Sequence, residues 1–272
     1  MDDYTLIDSG DKQKLERFGD YSLIRPSPQA LWKPEAPELW SSADSTFERG
    51  KKWDGLPKSW TIHYKMLRLK IVPTYFGHLG FFPEHARHWN WMEKKLKPDS
   101  EILNLFAYSG ATTLYLAKKG YRVCHLDAAK GMIDWARENV ALNTVEKGSI
   151  RWIIDDAIKF LRREIKRQRK YDAILLDPPS FGRGSQGQIF KIERDLPSLL
   201  QLCKGVLKTN PAFIVLTCHT AGLTPTILHH LLQQTFPGLS IESGETVLSS
   251  QTLPLPSGCF ARGSLSNTAL KR

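Results

Sequence analysis

The residues best equipped for chemistry in this 272-residue chain stand where apolar runs end. The run EILNLF opens the segment Phe106-Ala107-Tyr108-Ser109-Gly110, and YRVCHLD ends on Asp127. IRWIID leads to Asp155, Asp156 and Ala157, while YDAILLD ends on Asp177 and continues Pro178-Pro179-Ser180-Phe181. A carboxylate at a strand mouth accepts hydrogen bonds from sugar hydroxyls or amino groups. An Asp-Pro-Pro step has a stiff backbone, so the acid and a proline carbonyl can converge on one donor, and the phenylalanine beyond can stack on a planar base. Each aspartate alone reads first as a helix N-cap; together they read as a ligand cleft. A dinucleotide would require G-x-G-x-x-G after the first strand for close approach of a pyrophosphate. The single Gly110 argues against an oxidoreductase on this architecture. It still eases a turn into a helix whose amides attract a carboxylate.

These residues need a frame, and the chain supplies one by alternating strand and helix periods. After EILNLF come a helix from Gly110 to Lys119, the strand YRVCHLD and the helix AAKGMIDWARENVALN. IRWIID, DAIKFLRREIKRQRK, YDAILLD, IERDLPSLLQLCKGVL and AFIVLTC continue the alternation. This order predicts a parallel sheet with helices on both faces, an α/β fold of Rossmann-like type. TPTILHHLLQQTF reads as a last helix, LSIESGETVL and GCFARGSL as closing strands, and PEHARHWNWMEKKL as a helix leading in. Residues 1–82 have short alternations such as YTLID and YSLIR broken by proline-rich and basic stretches. They form a small β-rich, tryptophan-rich domain, with 83–272 as the second domain.

The balance of 38 basic against 28 acidic residues gives a formal charge of +10, which favours encounter with a polyanion such as nucleic acid. Six of the eight tryptophans fall in the first 91 residues among lysines and arginines, a composition suited either to stacking on bases or to stapling a small core. The run Arg162–Lys170 reads as a solvated basic face. Four dispersed cysteines without a C-x-x-C pair suggest neither a disulfide framework nor a metal site. With no signal-like start and no apolar run of membrane-spanning length, the expectation is a cytoplasmic protein with no membrane partner.

The blocks LNLFAYSGATTLYLAKKG, DAAKGMIDWARENVALN, IIDDAIKFLRRE and ILLDPPSFGRG resemble those of class I S-adenosylmethionine-dependent methyltransferases related to bacterial large-subunit ribosomal RNA cytosine-5 methyltransferases. The resemblance covers about residues 80 to 265. It implies S-adenosyl-L-methionine as cofactor, held by Phe106, Ala107, Tyr108, Ser109, Gly110, Asp127, Asp156, Ala157 and Asp177, and a base of ribosomal RNA as substrate, with cytosine C5 as the first expected target. Asp177 and Pro178 then border the position of methyl transfer, with Phe181, Arg183 and Lys191 as substrate contacts on a polar, glycine-rich loop. Cytosine C5 is a poor nucleophile and requires a cysteine thiolate added to C6 first. Cys218 in Leu216-Thr217-Cys218-His219-Thr220 is the candidate, although Thr220 stands where the relatives carry a second cysteine. Pro83-Glu84-His85-Ala86 likewise replaces the family's Asp-Gln-Arg element. Alternatives are a methylase of an exocyclic or ring nitrogen in nucleic acid or of a protein, and a non-catalytic cofactor-binding RNA chaperone.

Overall fold

The computed structural model describes residues 2–183, 187 and 189–266. The chain forms two compact units. The first comprises Met1–Ala86, Glu138–Asn143 and Thr246–Ser257, and the second Arg87–Arg137, Thr144–Glu245 and Gly258–Arg272.

In the first unit, β1 (Tyr4–Gly10), β2 (Gln13–Phe18) and β3 (Tyr21–Pro26) form an antiparallel meander, and β4 (Ser45–Thr46) pairs parallel to β3. β5 (Trp60–Tyr64) and β6 (Leu67–Ile71) make a separate antiparallel pair. The backbone groups on the free edge of β6 are met by side chains from 138–143: Lys70 N donates to Asn139 Oδ1 (2.7 Å), and Asn143 both accepts from Arg68 N (3.0 Å) and donates to Arg68 O (2.8 Å). Two asparagines one helical turn apart thus blunt an edge strand. Glu16, fully buried, accepts from Tyr4 (2.8 Å) and from Arg25 (2.8 Å), and Arg25 also donates to Gly77 O (2.9 Å). The tryptophans prove to be staples: the indole N–H of Trp32, Trp53 and Trp60 donates to Ser9 O, Thr74 O and Phe18 O, and that of Trp40 to Asp8.

In the second unit, α1 (Trp89–Glu93) precedes β7 (Glu101–Leu105), α2 (Ala111–Lys118), β8 (Arg122–Asp127), α3 (Lys130–Ala141), β9 (Ile150–Ile154), α4 (Ala157–Lys166) and β10 (Ala173–Leu176). There follow β11 (Phe181–Arg183), β12 (Ile189–Lys191), α5 (Ile192–Val206), β13 (Phe213–Cys218), α6 (Pro225–Thr235), β14 (Ser240–Leu248) and β15 (Leu255–Ser264). Seven strands form one sheet in the order β14-β15-β13-β10-β7-β8-β9; the last five are parallel and β15 runs antiparallel to β13. The fold is the expected α/β, Rossmann-like sheet with a β-rich unit beside it in sequence.

Strand parity assigns the faces. Leu103, Leu105, Ile174, Leu176, Ile214, Leu216 and Cys218 join a buried cluster with residues of α4, α5 and α6. The alternate positions face the other layer, where Asn104 and His125 meet Thr113 of α2 and Phe213 meets Trp91 of α1.

Three segments differ from the sequence expectation. Pro83–His88 is a 3-10 helix and only Trp89–Glu93 is α-helical, in keeping with buried Pro83, Ala86, Trp89 and Met92 at a spacing of three. α4 ends at Lys166 because Gln168 turns left-handed (φ 56°); the six basic residues of the run there are all exposed, the solvated face expected, and three of them are ion-paired, Arg163 to Asp155, Arg167 to Glu164 and Arg169 to Glu101. The segment after Phe181 is framed by an antiparallel pair, β11 with β12.

Candidate active site

The strand order reverses at β7, with β8 on one side and β10 on the other, and in such sheets ligands bind beyond the carboxyl ends at that point. The loop leaving β7 is built for close approach. Phe106, Tyr108 and Gly110 all have positive φ (56°, 53° and 84°), two of them residues that rarely adopt it. Such backbone persists when its surroundings determine it, and here they do. Ala107 N donates to Leu126 O (3.0 Å), Gly110 N to Ala107 O (3.1 Å), and Tyr108 N to Asp127 Oδ2 (3.0 Å). A side chain at Gly110 would lie 2.9 Å from Ala136 Cβ and 3.2 Å from His125 Cε1, so the glycine also permits α2 and α3 to close on the sheet.

Asp127, at the end of β8, accepts Tyr108 N on one oxygen and Ala129 N (2.9 Å) on the other. Burial raises its carboxyl above the ordinary range, and the backbone amides only partly offset this. Ala128 N bears on it as well, so backbone amides fill most of its acceptor directions and leave capacity for a further donor such as a ribose hydroxyl. Beneath the loop runs a relay that sequence reading missed: Asn104 Nδ2 donates to Thr113 Oγ1 (2.9 Å), which meets His125 Nδ1 (2.9 Å). Burial pushes the His125 imidazole down to about 3, so it is neutral, and its tautomer sets which of Thr113 Oγ1 and His125 Nδ1 donates. The polar spacing Asn104-x8-Thr113 was a visible signal, though not one with a unique reading.

Asp156 stands at the end of β9 and caps α4, its Oδ1 accepting Lys159 N (2.9 Å); Ala157 is the first residue of that helix. Asp177 follows β10, and its Oδ1 accepts the Thr217 hydroxyl (2.7 Å), with His219 Nε2 at 3.9 Å. Pro178 is buried, Pro179 and Ser180 are exposed, and Ser180 Oγ lies 2.7 Å from Thr220 Oγ1, tying the loop after β10 to the loop after β13. Phe181 is half exposed, Lys191 is exposed, and the side chain of Arg183 lies outside the described residues, as do residues 184–186 and 188. The loops after β7, β8 and β10 thus gather Phe106–Gly110, Asp127, Asp177 and Pro178 at one mouth of the sheet.

Cys218 points elsewhere. Thr217 and Asp177 occupy one face of the sheet, while Cys218, 1% exposed, packs into the cluster with α5 and α6 on the other. The neighbouring Cys259, its partner across the strand pair, lowers the Cys218 thiol, with a contribution from Thr220 N (3.4 Å), against the effect of burial, while the Cys259 thiol donates to Leu223 O (3.4 Å). Gly258 was also missed: a Cβ there would sit 2.6 Å from Cys218 O and 2.9 Å from His219 Nδ1.

A family model described as S-adenosylmethionine-dependent methyltransferase matches residues 46–228. The chain belongs to this family. The crystal structure of an S-adenosylmethionine-dependent methyltransferase from Agrobacterium tumefaciens superposes with a TM-score of 0.93 at 35% identity, covering 98% of this chain and 91% of that one. Among curated relatives, ribosomal RNA large subunit methyltransferase I of Klebsiella pneumoniae is 30% identical over 178 residues, 65% of this chain and 43% of the relative. Ribosomal RNA large subunit methyltransferase K/L of Pseudoalteromonas atlantica is 32% identical over 136 residues, 49% of this chain and 19% of the relative. The chain therefore spans less than half the length of these curated relatives. The family's cofactor, S-adenosyl-L-methionine, fits the donor set: it presents ribose hydroxyls and a carboxylate and carries no phosphate, matching a mouth with open aspartate oxygens and a single-glycine loop.

Proposed function

We propose that this methyltransferase acts on a base of ribosomal RNA in the cytoplasm, and that the atom methylated is an exocyclic amino nitrogen. The substrate class is supported by the names of the curated relatives and by the formal charge of +10. Among the described residues, no helix is long and apolar enough to cross a membrane. In this reading Phe106–Gly110 and Asp127 hold the cofactor, with Asp156 and Ala157 at its base and Asp177 at its reactive end. The bound cofactor supplies a methyl group on a cationic sulfur. The protein's task is then to orient a nucleophile in line with that carbon and exclude water. Asp177, fixed by Thr217, and the Pro178 carbonyl accept the two protons of an amino group and direct its lone pair; Phe181 stacks on the base. Lys191, exposed beside the loop that carries Phe181, meets a flanking phosphate.

The observation that carries the choice of atom is the burial of Cys218 on the opposite face of the sheet from Asp177. A nucleophile that adds to cytosine C6 must reach the base. The place of Cys218 at the end of β13, one residue beyond the Asp177 partner Thr217, favours the second reading, cytosine C5. Transfer of labelled methyl to total RNA, followed by nucleoside analysis, tests the substrate. Cys218→Ala tests the atom: the amino reading expects turnover within about threefold of wild type, whereas loss of a covalent nucleophile costs about a thousandfold or more. A non-catalytic cofactor-binding chaperone would label no RNA at all.

A further inference from the structure

The tryptophans of the first unit have their indole N–H groups engaged internally, yet two other aromatics are displayed to solvent. Tyr75 and Phe76 are 68% and 84% exposed, side by side at the tip of a turn. The turn is stiff. Thr74 N donates to His78 O (3.0 Å), Gly77 N to Thr74 O (3.1 Å), and the Thr74 hydroxyl to His78 O (2.8 Å). Gly77, at φ 79°, lies so close to the Phe47 ring that a Cβ would sit 2.9 Å from it, and its carbonyl accepts from Arg25, which is itself held by buried Glu16. Large apolar rings held out on a rigid turn lose little conformational freedom when something stacks on them.

Beside this turn lies a cavity of about 350 Å³ walled by Trp53, Pro57, Pro73 and Tyr75, with Lys52 and Lys58 at its sides. The Trp53 ring is fixed by its bond to Thr74 O (2.9 Å) and by packing on Phe47 at 5.2 Å. Among the described residues neither lysine is engaged in an ion pair, although Lys51 next to them pairs with Glu48. Flat aromatic and proline walls suit a planar base, and two ammonium groups suit the phosphates on either side of it. A base inside a duplex cannot enter such a cavity without leaving its stack.

We infer that the Trp53–Tyr75 cavity, with Phe76, Lys52 and Lys58, is a binding site for single-stranded RNA that takes one unpaired base between its walls. The inference rests on the reading of RNA as the substrate and adds how the first unit holds it: by an unpaired segment, without base-pair readout.

The test is a titration of fluorescein-labelled decauridylate into the full chain by anisotropy at several salt concentrations, with the decauridylate–decaadenylate duplex in parallel. Tyr75→Ala and Phe76→Ala, both at exposed positions, each weaken single-strand binding about 5- to 100-fold with the salt slope unchanged. Lys52→Gln with Lys58→Gln reduces the slope of log affinity against log salt by about 1.4, two phosphate contacts at about 0.7 each. S-adenosylhomocysteine binding by these variants stays at the wild-type value, a check that the fold is intact. Variants that bind decauridylate as wild type does would overturn the site, as would a duplex bound equally well and equally sensitive to Tyr75→Ala. Methyl transfer to RNA with binding unmoved by these substitutions leaves the proposed function standing and removes this site. Binding lost in the variants with no methyl transfer to RNA does the reverse.

Discussion

Asp8 and Asp127 are both carboxylates drawn in from solvent, one in each unit, and they do opposite things. Asp8 accepts Ser9 N (2.9 Å), Ala36 N (3.0 Å), the Trp40 indole (2.9 Å) and the Thr252 hydroxyl (2.8 Å). Burial pushes its carboxyl up, but those donors outweigh burial and hold it below the ordinary range. Asp127 accepts backbone amides alone among the described residues, and burial wins, holding it above the range. A carboxylate whose acceptor directions are filled from within is a joint. One that is desolvated and only partly filled is a receptor for the donors of a ligand.

The sharpest way to break this contrast is Asp8→Ala. It strands these four donors and Glu35 N (3.4 Å), each costing about 1–3 kcal/mol when buried without a partner, so urea unfolding should show a loss of about 4 kcal/mol or more. S-adenosylhomocysteine affinity of the folded protein should not change. A loss below about 1 kcal/mol would mean that Asp8 is no joint. Gly110→Ala comes next. A left-handed alanine costs about 1–2 kcal/mol and overpacking against Ala136 and His125 about 1–3 more, and both stability and cofactor affinity should fall together. Asp127→Asn keeps the volume but sets an NH2 group against Tyr108 N or Ala129 N, so urea unfolding should show a loss of about 1–3 kcal/mol, and S-adenosylhomocysteine should weaken between about 10- and 100-fold by isothermal titration, the scale of charged hydrogen bonds. Unchanged binding would remove Asp127 from the cofactor site.

A fourth effect, small at neutral pH and growing only on acidification, concerns His125. His125 is neutral in the fold because burial lowers it to about 3, whereas its unfolded value is about 6.5. Between these values the unfolded chain holds one more proton, so stability falls as pH falls across that window by about 1.4 kcal/mol per unit at most. In His125→Gln this component should vanish, so that the wild-type and variant pH–stability profiles differ in slope across that window. Profiles of equal slope would show that His125 protonates within the fold.

The alternation of strand and helix was legible because strands covered on both faces must be continuous apolar runs, such as AILL and FIVLTC, and each ended on a residue that could not continue one. Those ends marked the mouth of the sheet. Other features obey rules that composition does not display. Phe106 and Tyr108 take left-handed φ because Asp127 and the Leu126 carbonyl hold the backbone there, while their own preferences point the other way. The direction of Cys218 depends on strand parity, and in a strand buried on both faces either parity is apolar. Glu138–Asn143 and Thr246–Ser257 join the first unit from far along the chain, which no boundary drawn along the sequence can express. The tryptophan and lysine clustering was visible, but only the hydrogen bonds separate the rings that staple from the rings that are displayed.

The bond between Asp8 and Thr252 joins residues 244 positions apart, and Ser250 and Gln251 reach back to Leu6 in the same way. During synthesis the first strand therefore leaves the ribosome tens of seconds, at about 5–20 residues per second, before the segment that completes its unit. The unit that holds β1 stays incomplete until Thr246–Ser257 is made, and through that interval its unfilled carboxylate and the apolar face around Leu6 are exposed to chaperones and proteases.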